Sequence, residues 1–276
     1  MRPRDAVAEA LSECEHKHDM KLASWNVNSI KARLPIVTDW VKTHAPDVLF
    51  LQELKGEEFP TLAFQELGYH SLFVSQKAYN GVAILSKTIA TPILTRLSGD
   101  ETDEQARYLE ADWNHLRLIN IYLPNGNPID GEKFTYKLKW MDRLRTRLFE
   151  LRKNNIPFLV GGDFNIIPEK RDCYDPDLWA GDALFHKDSV AKFRALLNLG
   201  LVDAFRIDNQ ESHRYTFWDY QAGAWPKNHG LRIDHFLLSP PIVSRFVSCT
   251  IDSAPRELDK SSDHTPIILE LSEVEG

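Results

Sequence analysis

The stretch Phe158-Leu159-Val160-Gly161-Gly162-Asp163-Phe164-Asn165 decides how the rest of the chain is interpreted. Its apolar first half predicts a buried strand, which ends at the two glycines. Side chains two residues apart on an extended chain point the same way, so Asp163 and Asn165 are expected to project together. Strand ends are where open α/β sheets bind ligands. A strand followed by an Asx turn explains the same residues without a function, so motifs elsewhere must decide.

Composition limits the class of protein. The 276 residues are 43% hydrophobic and 26% charged, as in soluble globular proteins, and no apolar run approaches the length of a membrane span. The three cysteines, Cys14, Cys173 and Cys249, are odd in number and lack metal-site spacing. We therefore expect reduced thiols in a cytoplasmic protein, nucleoid-associated if the source is a prokaryote, without membrane contact.

The net charge of −7 argues against a protein that holds nucleic acid by bulk charge. It does not exclude a nuclease, because metal-binding carboxylates make a chain acidic while a local basic rim meets phosphates. Residues 1–19 are polar and mixed in charge, unlike a secretory signal. We expect them to form a flexible extension before a single catalytic domain at 20–276.

Periodicity and turn signals predict the order of elements. Helices are expected at 30–44, 58–67, 133–153 and 189–199. Strands are expected at 21–26, 47–53, 69–75, 81–86, 93–97, 107–113, 116–123, 158–163, 215–218, 231–238 and 266–271. Each half contains a strand, a long helix and a buried strand ending in an acid, Glu53 or Asp163. This repetition predicts two similar layers packed in one α/β domain, with helices outside.

Polar residues gather at the predicted strand ends. They are Asn26, Glu53, Tyr122, Asp163, Asn165, Asp234, Asp263 and His264. Carboxylate and carboxamide oxygens suit Mg²⁺ or Mn²⁺ rather than zinc, which prefers nitrogen and sulfur. Such a site predicts displacement at phosphorus, in which a metal neutralises charge, a base directs water and donors hold the phosphate.

Each of these residues also has a structural explanation. Glu53 fits a solvated strand end, Asn26 fits a cap and Tyr122 fits a core aromatic residue. Asp234 lies in an apolar strand, where an unpaired carboxylate costs several kcal/mol by order of magnitude, so it needs a partner. His264 is the natural one, although an Asp–His pair can be purely structural.

The ordered motifs resemble the exonuclease III family of apurinic/apyrimidinic endonucleases, within the endonuclease–exonuclease–phosphatase superfamily. The matching pieces are Trp25-Asn26-Val27-Asn28, Leu51-Gln52-Glu53-Leu54-Lys55, Tyr122-Leu123-Pro124-Asn125-Gly126, Gly162-Asp163-Phe164-Asn165, Tyr215-Thr216-Phe217-Trp218, Arg232-Ile233-Asp234-His235 and Ser262-Asp263-His264. They follow the family's order from about Lys21 to Leu271.

The resemblance implies a four-layer α/β sandwich, with two central mixed β-sheets packed face to face and helices on the outside. It implies Mg²⁺-dependent hydrolysis of DNA phosphodiesters, with Mn²⁺ as a possible substitute. The expected substrate is double-stranded DNA carrying abasic or 3′-blocked sites, incised 5′ to the lesion or trimmed from the 3′ end. We expect a monomer.

The resemblance also implies roles for individual residues. Glu53 is the expected main metal ligand, supported by Asn26 and by Asn28. Asp163 is expected to orient and deprotonate the attacking water, with Asn165 positioning it and the phosphate. The full candidate metal set is Asn26, Glu53, Asp163, Asn165, Asp263 and His264.

On the phosphate side, the resemblance implies that His264, held by Asp234, contacts the scissile phosphate. Asp263 is expected at the metal edge, and Tyr122 near the phosphate or the leaving group. Either Asp163 or His264 can serve as the base, because coupled groups do not divide the work cleanly.

Substrate contacts are inferred in the same way. Phe217, Trp218, Leu231 and Ile233 are expected to wall a pocket for a flipped-out abasic sugar, although core packing also explains the two aromatic residues. The other expected substrate contacts are Asn28, Lys55 and Asn125. Some relatives carry an acid at the position of Asn28, a glycine at that of Ser29 and a large aromatic residue at that of Leu231, which leaves the balance of activities open.

Cations near the expected cleft are candidates for DNA contacts. They are Lys31, Arg33, Lys55, Arg107, Arg171, Lys227 and Arg232. Most surface cations only solvate a protein, so we expect fewer than half of these to touch DNA. Two other functions stay open: a superfamily phosphoesterase acting on RNA, inositol phosphate or phospholipid, and a catalytically silent DNA-end-binding protein.

Overall fold

The computed structural model describes residues 19–273, which form two six-stranded sheets. The strands are β1 (Met20–Asn26), β2 (Val48–Gln52), β3 (His70–Val74), β4 (Val82–Ser86), β5 (Thr91–Leu94), β6 (Tyr108–Trp113), β7 (Leu116–Tyr122), β8 (Phe158–Asp163), β9 (Val202–Asp203), β10 (Asp234–Leu238), β11 (Phe246–Ile251) and β12 (Ile267–Leu271). The first sheet has the order β11-β12-β1-β2-β4-β3, and the second has β5-β6-β7-β8-β10-β9.

The two sheets repeat one topology. In each, the third and fourth strands in spatial order (β1–β2 and β7–β8) are parallel, and the other neighbours are antiparallel. A parallel pair needs a long crossover, which a helix supplies in both halves. The repetition predicted from the sequence is therefore confirmed at the level of strand pairing.

Seven α-helices occur in residues 19–273. They are α1 (Ile30–His44), α2 (Thr61–Gln65), α3 (Glu132–Lys153), α4 (Pro176–Trp179), α5 (Lys187–Leu197), α6 (Phe205–Asp208) and α7 (Pro240–Val243), and two 3₁₀ turns lie at Lys170–Asp172 and Ala254–Glu257. The crossover helices are α1 between β1 and β2, and α3 between β7 and β8.

Three apolar clusters stack the elements into four layers. Trp40 of α1 packs with Leu49 on the outer face of the first sheet, and Leu144 of α3 packs with Val160 on the outer face of the second. The inner faces meet in a cluster that contains residues of both sheets, including Phe50. This confirms the four-layer α/β sandwich.

Gly161 and Gly162 in β8 allow the close packing that places Asp163. A Cβ on Gly161 would lie 2.4 Å from Phe236 and 2.9 Å from Phe50, so only glycine lets the sheets approach there. Gly162 has φ +140°, and a Cβ would lie 2.0 Å from the carbonyl oxygen of Ile121. The two glycines of the opening stretch are thus required by packing and by backbone conformation.

Several predicted elements differ from the structure. The predicted strand at 215–218 is wrong: the segment is irregular, and only Phe217 forms isolated bridges, to Leu231 and His264. Tyr215 and Trp218 contact each other, Phe217 packs against His264, and the Thr216 hydroxyl accepts two backbone N–H bonds. The strand predicted from Leu231 begins only at Asp234.

Other differences lie at sheet edges. Strand β5 begins at Thr91 instead of Ile93 and carries Pro92, which an edge strand tolerates. The edge strands β9 and β11 were not predicted. Helix α2 is confined to Thr61–Gln65, within the longer range predicted from the sequence.

Two of the three cysteines, Cys173 and Cys249, are buried free thiols, as expected. Cys14 and the predicted extension, apart from Asp19, lie outside the described residues. Across residues 19–273, no helix has the length and apolar character needed to cross a membrane.

Candidate active site

The predicted polar residues meet at one side of the two packed sheets, where strands β1, β2 and β8 end. Asn26 ends β1, Glu53 follows β2, and Asp163 ends β8. Asp234 begins β10, which runs antiparallel to β8. In this pairing Asp234 lies directly opposite Asp163. Because the equivalent strands of both sheets end at this edge, residues more than 200 positions apart share one site.

Asn26 joins the two central acids. Its Nδ2 donates to Glu53 Oε1 at 2.8 Å and to Asp163 Oδ2 at 2.9 Å, and its Oδ1 accepts from the backbone N–H of Asn28. Ligand atoms of Glu53, Asp163 and His264 all lie within 4.8 Å of one another. Two carboxylates and an imidazole therefore face one small volume.

Glu53 is held in its ionised form. Lys55 Nζ lies 2.7 Å from Glu53 Oε2. Burial alone would raise the pKa of Glu53, but the Lys55 charge and the hydrogen bonds from Lys55 and Asn26 outweigh it and lower that pKa. Lys55 also donates to Asn28 Oδ1, and Asn28 Nδ2 donates to Asp263 Oδ1 at 3.0 Å.

Asp163 has the opposite electrostatic setting. It is 1% exposed, and its pKa is raised mainly by burial, then by the charges of Asp234 and Glu53, with His264 opposing. The Asn165 backbone N–H donates to Asp163 Oδ1 at 2.8 Å, and Asn165 Nδ2 donates to the Leu123 carbonyl at 2.9 Å. Asn165 therefore fixes the orientation of Asp163.

His264 and Asp234 form the pair expected from the sequence. His264 Nδ1 lies 2.9 Å from Asp234 Oδ2, and the second carboxylate oxygen of Asp234 has no hydrogen-bond partner among the described residues. Burial alone would lower the pKa of His264, but the charges of Asp234 and Asp163 raise it. The ring packs edge-on against Phe217, and its Nε2 lies 3.8 Å from Asp163 Oδ2.

These groups line a cavity of about 280 Å³. Its walls are Glu53, Tyr122, Asn125, Asn127, Asp163, Asn165, Trp179, Asp182, Leu184, Phe217, Asp219, Ile233, Asp263 and His264. A larger groove of about 1100 Å³, between 168–171 and α5, contains no predicted site residue except the cation Arg171. The smaller cavity is the candidate site because Glu53, Asp163 and His264 line it.

Two predicted pocket residues lie behind the cavity wall. Trp218 is 3% exposed, donates to Asn228 Oδ1 and packs edge-on against Trp225. Leu231 is 1% exposed and belongs to the apolar cluster that includes Ile233 and Phe217. Phe217 and Ile233 form the apolar surface that reaches the cavity.

Most of the candidate DNA-contacting cations serve other contacts. Arg232 is fully buried and paired with Asp172 and Asp203 at 2.7 and 2.8 Å, so its prediction as a DNA contact is wrong. Arg232 lies just before β10, and its acidic partners come from distant segments, so local sequence does not indicate its burial. Arg107 lies over the Tyr122 ring at 4.6 Å.

The remaining cations are accessible to different degrees. Arg33 donates to the Asn28 carbonyl at 2.6 Å, and Arg171 is paired with Glu169 at 2.8 Å. Lys31 and Lys227 are exposed, and Lys227 donates to the Ala222 carbonyl.

Lys137, which is fully buried beside the site, was not predicted as a site residue. Its position on α3 carried a signal, because 137, 141, 144 and 148 follow the helical spacing of the buried stripe. Five residues of the cavity wall were not predicted either: Asn127, Trp179, Asp182, Leu184 and Asp219. Trp179 ends the short helix α4 and the other four lie in loops, and periodicity predicts neither so short a helix nor the path of a loop.

The fold and the site together define an enzyme that hydrolyses phosphodiesters, with its site between the edges of two sheets. Residues 23–264 match the sequence model of the Endonuclease/Exonuclease/phosphatase family, and the chain belongs to this family. The resemblance drawn from the ordered motifs is confirmed.

Named relatives and solved structures cover nearly the whole chain. Exodeoxyribonuclease III of Haemophilus influenzae is 34% identical over 262 residues, which span 90% of this chain and 98% of that enzyme. A 3′ phosphatase from Neisseria, solved with a product DNA hairpin, is 36% identical with a TM-score of 0.89, and the match covers 92% of this chain and all of that one. An AP endonuclease from Archaeoglobus fulgidus is 38% identical with a TM-score of 0.87, over the same shares.

Proposed function

We propose that this protein is a Mg²⁺-dependent DNA repair nuclease that incises duplex DNA 5′ to abasic sites and trims blocked 3′ ends, acting as a monomer. The observation that carries the proposal is the meeting of Glu53, Asp163 and His264 in one cavity, with Asp234 behind the imidazole. The named relatives support DNA as the substrate, since they are an exodeoxyribonuclease, an AP endonuclease and a 3′ phosphatase.

The residues present fit a divalent cation. Glu53, Asp163 and Asp263 line the cavity, and the charges of Glu53 and of Asp234 behind the imidazole contribute to the raised pKa of Asp163, a repulsion that a bound cation would relieve. Glu53 would be the principal ligand, with Asp163, Asn165 and Asp263 around it, and oxygen donors favour Mg²⁺, with Mn²⁺ as a substitute. Asn26 currently presents its NH₂ group to the acids, so direct ligation by its oxygen requires the side chain to turn. When bound, the metal neutralises charge on the phosphate.

Asp163 is the group that accepts the proton of the attacking water. Burial and neighbouring acids raise its pKa, which makes it a stronger base than an exposed carboxylate once it is ionised. The N–H of Asn165 fixes one oxygen and Asn26 the other. Both donors hold the carboxylate in a single orientation.

His264 is the donor to the phosphate. Asp234 occupies its Nδ1 and favours the protonated ring, which leaves Nε2–H directed toward the reacting group. A doubly protonated imidazole has no lone pair for a metal. His264 is therefore proposed to contact the phosphate and not to bind the metal. Tyr122, whose pKa is raised well above its ordinary value by burial and by Glu53 and Asp163, stays a neutral hydroxyl donor.

The apolar wall suits a sugar without a base. Phe217, Ile233 and Leu184 line the cavity next to His264, and apolar side chains stack on or surround a flipped-out nucleotide. Asn125 and Asp219 supply polar groups at the same wall. A cavity of this composition fits a deoxyribose better than a strongly anionic inositol phosphate.

Product analysis on end-labelled DNA duplexes tests the proposal. Intact, abasic and 3′-blocked duplexes are incubated with Mg²⁺ or with EDTA, beside inositol phosphates and sphingomyelin. We expect incision 5′ to the abasic site, removal of the 3′ block and no cleavage in EDTA. Cleavage of inositol phosphate or sphingomyelin alone, or binding without cleavage of any substrate, would overturn it.

A further inference from the structure

Lys137 is a buried lysine of helix α3, which packs on the outer face of the second sheet. It is 0% exposed and lies on the inner face of α3. Its Nζ donates to the backbone carbonyl of Asn165 at 2.6 Å and to that of Asn125 at 3.0 Å. Burying an ammonium group is costly unless it is hydrogen bonded, and these two bonds offset that cost.

The two carbonyls belong to two different loops of the site. Asn125 lies in the loop that follows β7, and Asn165 lies in the segment that follows β8. Both side chains line the cavity, and Asn125 Nδ2 approaches Asn165 Oδ1 at 3.4 Å. One ammonium group therefore joins the exits of the two parallel strands of the second sheet.

The loop after β7 also rests on the lysine stem. A Cβ on Gly126 would lie 2.6 Å from Lys137 Cδ. The next residue, Asn127, donates to both oxygens of Asp182 at 3.1 Å and accepts from the Ala183 N–H at 3.0 Å. Asn127 thus links the loop that Lys137 holds to a third segment of the cavity wall.

We propose that Lys137 is a positioning residue for hydrolysis, which holds Asn165, and through it Asp163, in the orientation that accepts a proton. The proposal rests on the proposed function. Lys137 has no hydrogen bond to Asp163 and acts through Asn165. The Asn165 carbonyl accepts from Lys137, and the Asn165 N–H donates to Asp163. Burial lowers the pKa of Lys137 to about 7, while the charges of Asp163 and Asp182 favour its protonated form.

Kinetics of two matched variants test the proposal. Lys137→Met keeps the unbranched chain up to the position of Cε and removes both hydrogen bonds, and Lys139→Met removes an exposed lysine from the same helix. On an abasic duplex we expect Lys137→Met to lower kcat at least tenfold with KM within threefold of wild type. Lys139→Met is expected to match wild type. Equal kcat values for the two variants would overturn the proposal.

A third variant separates positioning from packing. Lys137→Gln keeps an N–H donor, so its kcat is expected to lie between those of Lys137→Met and wild type. A kcat for Lys137→Gln no higher than that of Lys137→Met would indicate that only volume matters and would contradict the proposal. Thermal unfolding of each variant confirms that the kinetic comparison is made on folded protein.

Hydrogen exchange tests the same contacts without any substrate. We expect amides in 124–131 and 164–167 to exchange faster in Lys137→Met than in wild type or Lys139→Met. Unchanged exchange would overturn the positioning role. If wild type cleaves no DNA substrate, the proposed function fails, and the exchange result still decides whether Lys137 holds these loops.

Discussion

Glu53 and Asp163 occupy equivalent places in the two sheets, yet their surroundings are opposite. Each acid lies at the end of the fourth strand in spatial order, next to a parallel neighbour. Glu53 has a lysine at 2.7 Å and a lowered pKa. Asp163 is buried, has two acids near it and has a raised pKa.

The difference shows how one repeated topology gives two acids different electrostatic surroundings, which suit the two proposed roles. An acid beside a cation stays ionised and suits a metal ligand, whereas a buried acid near other acids binds protons more strongly and suits a base. The strand pairing brings the two acids together, and the local sequence after each strand sets their electrostatics. Four predictions test this comparison of the two halves.

Removing the proton acceptor is expected to have the largest effect. Asp163→Asn keeps the shape of the side chain but cannot take a proton from water. We expect kcat on an abasic duplex to fall by roughly 10³-fold, with duplex affinity in EDTA within a few fold of wild type, measured by fluorescence anisotropy. Wild-type-like cleavage by this variant would remove the proposed role of Asp163.

Removing the metal ligand is expected to cost less and to depend on Mg²⁺. Glu53→Gln takes one negative charge from the site, so we expect a loss of roughly 100-fold at low Mg²⁺. Raising the Mg²⁺ concentration should restore part of the activity. The same titration on Asp163→Asn is the control and should restore nothing; an equal response in both variants would contradict the division of roles.

The Lys55–Glu53 pair is expected to contribute to stability in a pH-dependent way. Because the folded pKa of Glu53 is below its ordinary value of 4.5, its contribution is present above that value and is lost as the pH falls through the folded pKa. Lys55→Met should therefore lower the free energy of unfolding by about 1 kcal/mol or less at pH 7. Urea unfolding in EDTA at pH 7 and pH 3 measures this, and a difference of equal size at both values would exclude the ion pair as its cause.

The smallest effect concerns the strand exits. The exit of β7 uses a glycine, Gly126, at φ +92°, whereas the exit of β1 has Ser29 at φ +88°, where a side chain is strained. Ser29→Gly loses the weak cap to the Ala32 N–H, yet we expect a gain of roughly 0.5 kcal/mol in the free energy of unfolding. Ser29→Ala, which keeps the Cβ and loses the cap, should destabilise the protein; thermal unfolding of both variants checks this.

Local patterns predicted the long elements well. Helix α1 has the predicted bounds, because its apolar spacing is regular and a proline follows it. The segment 215–218 misled the prediction, because aromatic and β-branched residues favour strands in general while here they pack into a loop. The burial of Arg232 was also missed, because its two acidic partners come from distant segments.

The sequence by itself determined which residues are candidates for the chemistry, since acids and amides after apolar strands need partners or ligands wherever they lie. It also determined the repeated strand–helix–strand pattern, which follows from local periodicity. Only the tertiary structure decided that Glu53 is ionised beside Lys55, that Asp163 is buried among acids, and that Lys137 joins two loops. These properties depend on distances between segments far apart in the chain, and a pKa or a buried hydrogen bond is set by those distances.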